Sequence, residues 1–378
     1  MALAIGQSER FPLVLTSNRD EFFDRPTAAL DWWQPAPGDP AVLAGRDLQA
    51  GGSWLGLSAT GRLALVTNVR DGLPQSAEAP SRGSLVTDWL LSSEPFETHW
   101  ARLADAGHNG FNLVAADLDQ DEWHWAGNRT VGGAISDGRT QIPRPLRLLT
   151  GLHGLSNAAL DTPWPKVQRL KAAVQAALNT AAADRSSTAQ DPPQSSLGQT
   201  FAAERGDGQG HDQGDDQGDG QASWASDDGV LDGLIEQLFA ALGDNRTADD
   251  ALLPATGLPL ALERQLSAAF IRTPDGRYGT RCSTLVVTET TPSGRVTHVI
   301  ERSFGACRDV DDAKGLARCV ERRTRLAPGL AGWAAGREAS HRNRPNGLPV
   351  SRVRSDGPAG GRTAEPLLAP ITERVLPA

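Results

Sequence analysis

Short apolar runs separated by polar turns recur along the chain and predict β-hairpins. In the first pair, Ala2 to Ile5 and Phe11 to Leu15 flank a polar turn at residues 7–10. Three further pairs show apolar runs or apolar-polar alternation, the patterns of buried and half-buried strands. They are residues 51–57 with 63–68, 111–116 with 123–125, and 283–289 with 296–304.

Helical spacing of apolar residues marks five segments between these hairpins. The clearest begins at Pro165, which suits a first helical turn, and then repeats apolar side chains every three or four residues. The other predicted helices are 84–91, 94–104, 230–242 and 260–270. Hairpins that alternate with helices predict antiparallel sheets covered by helices, which is a layered α+β domain.

Polar side chains cluster where four of the predicted strands end or begin. The clusters are Asn18-Arg19-Asp20-Glu21, Asn68-Val69-Arg70-Asp71, Ser156-Asn157 and the approach to a late strand at Arg281. The first cluster taken alone also fits a charged turn, since Asn and Asp are common turn residues. Four such clusters favour a pocket, because buried polar groups need partners and converging strand ends form a concave site.

Charge and composition divide the chain into three regions. The net charge is −9 over 378 residues, but ten acidic residues and only two arginines lie between Ala181 and Asp228. This segment, rich in Gly, Asp and Gln, has almost nothing to bury and is predicted to be a disordered insertion at 181–228. The end of the chain, 307–378, is rich in Arg, Pro and Gly without periodicity and is predicted to be a disordered tail. A single folded domain at 1–306 remains.

Composition also excludes several classes of function. Outside the insertion the net charge is close to zero, so no nucleic-acid surface is expected. No apolar run reaches membrane-spanning length and no basic-apolar leader begins the chain, so no stable membrane insertion is expected. The three cysteines form no CxxC pair, which predicts no metal site and a reducing cytoplasmic location. The bias toward Ala, Gly, Arg and Pro is typical of a GC-rich bacterial genome.

The polar clusters belong to eight sequence blocks that resemble a known family. The blocks are NRDEFFDRP, AGRDLQAGGSWLG, TNVRD, SRG, FNLVAAD, HGLSNAALDTPWPK, RYGTRCSTL and ERSF. In this order they resemble the NRDE family, whose eukaryotic members are called transport and Golgi organisation protein 2. That family is similar to the N-terminal nucleophile hydrolases, and the resemblance implies an αββα sandwich with antiparallel sheets.

The resemblance also implies ligands and a set of residues that bind them. Eukaryotic members of the family are linked to haem mobilisation and to lipid or acyl-CoA metabolism, so a transiently bound haem or an acyl-CoA is expected in the pocket. Arg19 and Arg281 would meet the carboxylates or phosphates of such a ligand. No CxxCH is present, and His153 is a weak candidate for an axial ligand. The other binding candidates are Asn18, Asp20, Glu21, Asn68, Arg70 and Asn157.

A second function, hydrolysis of linear amides, is implied by the similarity to cysteine-type amidases. Those enzymes use an N-terminal cysteine whose own α-amine is the base. Asn18 and Asp20 resemble the residues that orient it. Asn68 and Asn157 resemble oxyanion donors, and Arg281 resembles an arginine near the last strands.

The nucleophile of that reaction is missing from the chain. Family members read Met-Cys-Leu-Ile, whereas this chain reads Met-Ala-Leu-Ala-Ile and its first cysteine is Cys282. Either translation starts a few residues upstream, which the short first strand favours, or the nucleophile has been lost. Small-molecule binding or trafficking is therefore the first hypothesis, amide hydrolysis the second and a non-catalytic structural scaffold the third.

Overall fold

The fold is known from a computed structural model of the chain. It describes residues 1–103, 106–129, 144–188, 229–305, 319–327 and 369–376. Among these residues, no helix combines the length and the apolar character needed to cross a bilayer.

Fourteen strands form two antiparallel seven-stranded sheets in the described part of the chain. The first sheet has the order β10-β1-β2-β11-β12-β13-β14. Its strands are β1 Ala2–Ile5, β2 Leu13–Phe22, β10 Gly151–Gly154, β11 Tyr278–Thr291, β12 Gly294–Phe304, β13 Cys319–Leu326 and β14 Ile371–Leu376. The second sheet runs β3 to β9 in sequence order. Its strands are β3 Thr27–Trp33, β4 Val42–Asp47, β5 Leu55–Ser58, β6 Arg62–Asn68, β7 Phe111–Asp117, β8 Glu122–Gly127 and β9 Leu146–Arg147.

Five helices accompany the sheets in the described residues. They are α1 Gly83–Leu91, α2 Phe96–Leu103, α3 Pro165–Thr188, α4 Val230–Leu242 and α5 Leu260–Gln265, with a short 3-10 helix at Asp250–Leu252. The last predicted helix, 260–270, is thus shorter than expected. Pro259 precedes α5, and Leu266 follows it with a φ of −82° and a ψ of 0°.

Three apolar clusters show how the layers stack. One lies between the sheets and joins side chains such as Leu15 and Leu65. A second packs α3 and α4 on the outer face of the first sheet, where Val14 meets the apolar face that includes Leu234. The third packs α1 and α2 on the outer face of the second sheet around Leu85. The order is helix, sheet, sheet, helix, so the predicted αββα sandwich of antiparallel sheets is confirmed.

The alternation of side chains along β2 assigns its residues to different layers. Leu13 and Leu15 join the cluster between the sheets, whereas Val14 joins the helix-facing cluster. Successive side chains of a strand point to opposite faces. This alternation continues to the end of the strand, so Asn18 and Asp20 face the helices and Arg19 faces the second sheet.

The structure corrects the prediction that the strand stops before the polar cluster. β2 extends through Asn18, Arg19, Asp20 and Glu21 to Phe22, and it pairs with β11 along this length. The alternative of a charged turn is therefore wrong. Pairing with β11 keeps the chain extended even where its side chains are polar, beyond the point at which pairing with β1 ends.

The structure corrects the start of the predicted insertion and two segments of the predicted tail. The helix α3 continues to Thr188 and includes the first residues of the predicted insertion, because the apolar spacing of α3 reaches Ala181. Residues 189–228 lie outside the described residues. The prediction of a disordered tail is wrong for β13 and β14, which add to the edge of the first sheet next to β12.

A buried carboxylate explains how these arginine-rich strands fold onto the sheet. Glu321 is fully buried and accepts hydrogen bonds from Arg302 at 2.8 Å, Arg323 at 2.6 Å and Arg374 at 2.7 Å. Burial alone would raise the pKa of Glu321, but these three arginines outweigh it and hold that pKa below its usual range. Arg323 also pairs with Asp232 of α4 at 3.1 Å. The arginines that suggested disorder thus fasten β13 and β14 to the domain.

Replacing this carboxylate should destabilise the fold. We expect Glu321→Gln to lower the free energy of unfolding by about 3 kcal/mol, because it removes the buried charge that three arginine side chains share. Because the folded-state pKa of Glu321 is depressed, this contribution is present at neutral pH and is lost as the pH falls through that depressed pKa. Urea unfolding at neutral and acidic pH measures both effects.

The matched control is Glu373→Gln on the neighbouring strand β14. The side chain of Glu373 is 54% exposed and pairs with Arg322, so its loss should cost less than about 1 kcal/mol. Equal losses for the two variants would contradict the assigned role of Glu321.

Candidate functional site

A cavity of about 540 Å³ opens at the edge of the sandwich. Its wall is formed by the end of β2, the end of β6, the segment after β10 and the beginnings of α1 and α3. Seven of the eight predicted site residues line it; the exception is Arg281. The predicted convergence of strand ends therefore does form a pocket.

Asn18 is fully occupied by contacts within the fold. Its Nδ2 donates to the carbonyls of Leu242 at 2.9 Å and Ala269 at 2.8 Å, and its Oδ1 accepts from Ser283 Oγ at 2.6 Å. Leu242 is the last residue of α4, so Asn18 satisfies a carbonyl that a helix end leaves free. Its side chain holds β2, α4 and β11 together.

Asp20 is the acidic group of the helix-facing side of β2. Its Oδ1 accepts from Thr280 Oγ1 at 2.7 Å, and the hydroxyl of Tyr278 donates to its backbone carbonyl at 3.3 Å. Burial raises the pKa of Asp20, against the opposing effects of Lys166 and of the bond from Thr280. A carboxyl group in such surroundings stays protonated up to a higher pH than an ordinary aspartate does.

Arg19 lies on the opposite side of the strand, between the sheets. Its guanidinium stands 4.3 Å from the ring centre of Trp54, and its nearest carboxylate contact, with Glu21, is at 3.8 Å. The residue is only 9% exposed, and its Nη1 is buried with no hydrogen-bond partner among the described residues. A buried donor without a partner is costly, which makes Arg19 the strongest anion-seeking group of the wall.

Asn68, Arg70 and Asn157 form a second polar group at the ends of β6 and β10. Asn157 donates to the carbonyl of Asn68 at 3.0 Å and accepts a long bond of 3.4 Å from Arg70. Arg70 also pairs with the buried carboxylate of Glu263 at 2.8 Å. Asn68 is exposed at its strand end, so its amide is the one of the three most open to a ligand.

Arg281 differs from the expectation that it would face the pocket. It is the extra residue of a β-bulge, because Asp20 pairs with Thr280 and Arg19 with Cys282. A bulge redirects the side chain of the inserted residue. The guanidinium of Arg281 donates to the carbonyls of Phe22 at 2.8 Å and Arg25 at 3.1 Å. It therefore fixes the turn after β2 outside the cavity.

The α-amino group of Met1 also lies at the cavity wall. It donates to the carbonyl of Leu155 at 2.7 Å. Burial, followed by the charge of Lys166, lowers the pKa of this amine to about 5 against the opposing effect of Asp20. An amine with a lowered pKa therefore lies at the same cavity wall as Asp20, just before β1.

Sequence reasoning missed two groups of the wall. Lys166 follows Pro165 at the start of α3 and faces the cavity. A lysine at a helix N-terminus is unfavourable, and this chain has only three lysines; together these signals could have found it. Arg82 lines the cavity at the start of α1. Its position in the SRG block could have identified it as a candidate site residue.

Two glycines place Arg82 at the cavity. Gly52 lies in the loop before β5, and a Cβ on it would overlap the backbone of Gly83, the first residue of α1. Ser53 N donates to Gly83 O at 3.2 Å across the same contact. The GGSW and SRG blocks are therefore two halves of one backbone contact.

His153, the weak candidate for an axial ligand, is held by contacts within the fold. Both ring nitrogens of His153 have partners, Asp161 Oδ2 and Leu149 O, each at 3.1 Å, and the residue does not line the cavity. Cys282 is buried, and burial raises the pKa of its thiol well above the usual value. No group of three or more potential metal ligands occurs within the described residues.

The model of one protein family, Transport and Golgi organisation 2, matches residues 1–207 and 221–306. These residues make up well over half of the chain. The chain belongs to the Transport and Golgi organisation 2 family. β13 and β14 lie beyond the matched residues, so this family member carries two further strands on its first sheet.

Curated relatives in mammals carry the same family name. The chain is 38% identical over 166 residues to the human Transport and Golgi organization protein 2 homolog, covering 42% of this chain and 54% of that protein. The mouse homolog is 36% identical over 165 residues, with the same two coverages. The chain thus spans about half the length of the curated relatives it matches.

One solved structure that the comparison matched is the C2A mutant of conjugated bile acid hydrolase from Clostridium perfringens. The two share 11% sequence identity and a TM-score of 0.31, with 78% of this chain and 90% of that chain covered.

The hydrogen bonds of the Asn18 side chain in this Transport and Golgi organisation 2 family member lead to a stability prediction. We expect Asn18→Ala to lower the free energy of unfolding by about 2 kcal/mol, because it removes three hydrogen bonds and leaves partly buried groups without partners. Thermal and urea unfolding followed by circular dichroism measure the change.

The control is Asn68→Ala at the same cavity, which removes an exposed amide and should change stability by less than about 0.5 kcal/mol. If Asn18→Ala unfolds no more easily than Asn68→Ala, the side chain of Asn18 is free for a ligand and the structural role is wrong.

Proposed function

We propose that this protein binds a small molecule with an anionic group in the cavity, and that haem and acyl-CoA are the classes to test first. The observation that carries the proposal is that Arg19, a residue of the cavity wall, has a buried Nη1 with no hydrogen-bond partner in the described part of the chain. A carboxylate or phosphate oxygen would satisfy this donor. The cavity volume is within the usual range for small-molecule sites.

The charges of the wall support an anionic ligand. Five basic side chains line the cavity, against three carboxylates. Arg25 is neutralised by Asp47 at 2.7 Å. Arg82 instead donates to Gln75 at 3.4 Å and to the carbonyl of Gly110 at 3.2 Å, and burial lowers its pKa. Arg19 and Arg82 therefore replace the earlier pairing of Arg19 with Arg281 as the residues proposed to meet the ligand.

A phosphate-bearing ligand fits this corner by its geometry as well as its charge. Arg82 immediately precedes α1, and the positive end of a helix adds to the attraction for an anion. Trp54 supplies an aromatic face next to Arg19. A ligand with a charged head and an apolar body would use both surfaces.

The experiment is a calorimetric titration of the full chain with haem and with a series of acyl-CoA esters, with free fatty acid as the comparison. We expect Arg82→Gln to weaken binding by about tenfold or more, the effect of losing one charge-assisted hydrogen bond. High salt should weaken binding further, since the corner is partly open to solvent.

Two variants control this titration. Arg281→Gln removes an arginine close to the site but outside the cavity, and Arg264→Gln removes an exposed arginine that pairs with Asp250. Both should retain binding within about threefold, far less than the loss from a charge-assisted contact. Absence of binding below about millimolar concentration for every ligand would favour the structural scaffold.

Amide hydrolysis by an N-terminal nucleophile is the second candidate. One observation favours it: the α-amine before β1 lies at the cavity wall, where burial lowers its pKa to about 5, and an amine of low pKa can act as a base. Met1 has no thiol or hydroxyl to serve as nucleophile.

The test is the N-terminal sequence and intact mass of the protein expressed from its native locus with upstream codons included. An N-terminal cysteine followed by turnover of linear amides, lost in a Cys-to-Ala variant, would establish hydrolysis. An N-terminus at Met1 or Ala2 would leave binding as the function of this cavity.

A further inference from the structure

Lys166 is an amine at the cavity wall that none of the proposed contacts uses. Its Nζ donates to the carbonyl of Leu266 at 2.9 Å, and it forms no ion pair within 4.0 Å with a carboxylate of the described residues. The other described lysine, Lys171 on the same helix, pairs with Asp161 at 2.7 Å outside the cavity. The two lysines thus share a helix and differ in their surroundings.

The position of Lys166 disfavours its positive charge. It is the second residue of the 24-residue helix α3, where the helix dipole repels a cation. Arg70 and Arg169 add like charge, whereas Asp20 and Glu263 oppose it. Burial is the largest effect, and together these surroundings lower the pKa of Lys166 to about 8.

Asp20 lies on the same cavity wall. Its pKa is raised by burial, and its charge interacts with that of Lys166. An amine with a lowered pKa and a carboxyl group with a raised pKa at one cavity are the nucleophile and the acid that carbonyl condensation requires.

We propose that Lys166 forms a Schiff base with an aldehyde or ketone that enters the cavity. The Nζ lone pair attacks the carbonyl carbon to give a carbinolamine. One amine hydrogen and the proton of Asp20 then leave with the carbonyl oxygen as water, and the C=N bond forms. The resulting iminium cation faces the carboxylate of Asp20. This site does not depend on the anionic ligand proposed above, since its reactant is a neutral carbonyl compound.

Reductive labelling of the full chain tests the proposal. The protein is treated at pH 7.5 with limiting propanal and cyanoborohydride, and the adducts are assigned by peptide mass mapping. Because the chain has only three lysines, each adduct is assigned without ambiguity, and the α-amine is scored separately. We expect Lys166 to be labelled about tenfold faster than Lys171, since a larger fraction of its amine is uncharged.

Three comparisons make the result decisive. The ratio should fall to about one when the protein is unfolded in urea, because the two amines then have the same surroundings. Asp20→Asn should slow labelling of Lys166 several-fold and leave Lys171 unchanged. The rate at Lys166 should also level off above about pH 8. Labelling of Lys166 no faster than Lys171 in the folded protein would overturn the proposal, whatever the anion titrations show.

Discussion

Both faces of β2 are covered, one by helices and one by a second sheet, and this constraint determines the site. A strand in that position alternates its side chains between two buried layers, so its polar residues need partners on both faces. Asn18 meets the end of α4, Asp20 meets β11, and Arg19 meets the aromatic ring of Trp54. One short sequence block thereby connects three layers, and it leaves Nη1 of Arg19 without a hydrogen-bond partner among the residues that the structure describes.

The cavity wall carries two chemically distinct sets of groups as a result. One set comprises the amine of Met1, Asp20 and Lys166, whose pKa values burial shifts toward the uncharged forms. The other comprises Arg19, whose nearest carboxylate contact is Glu21 at 3.8 Å, and Arg82, which forms no ion pair within the described residues. The first set is suited to proton transfer and covalent chemistry, and the second to holding an anion. A molecule with an anionic head and a reactive or apolar body would contact both.

The layered fold was predictable because hairpin and helix patterns need only local sequence. The clustering of Asn18, Asn68 and Asn157 at one pocket was predictable from their common position at strand ends. The direction of Arg281 was not, since it depends on a bulge that only the pairing of β11 with β2 reveals. Likewise the order of β13 was not predictable. Its Glu321 is neutralised by arginines of the neighbouring strands β12 and β14, and the sequence does not show that these strands are neighbours. Contacts between distant segments leave no periodic pattern in the sequence.

The contact between Gly52 and Gly83 determines which parts of the cavity can change. Neither residue has a side chain to shorten, so a larger residue on one side cannot be offset by a smaller one on the other. Larger residues are therefore not tolerated at this part of the cavity rim. The side chains of Trp54, Arg82 and Tyr278, which also line the cavity, can be exchanged one at a time. Adaptation of the cavity to ligands of other sizes, by evolution or by design, would change those side chains and keep the two glycines.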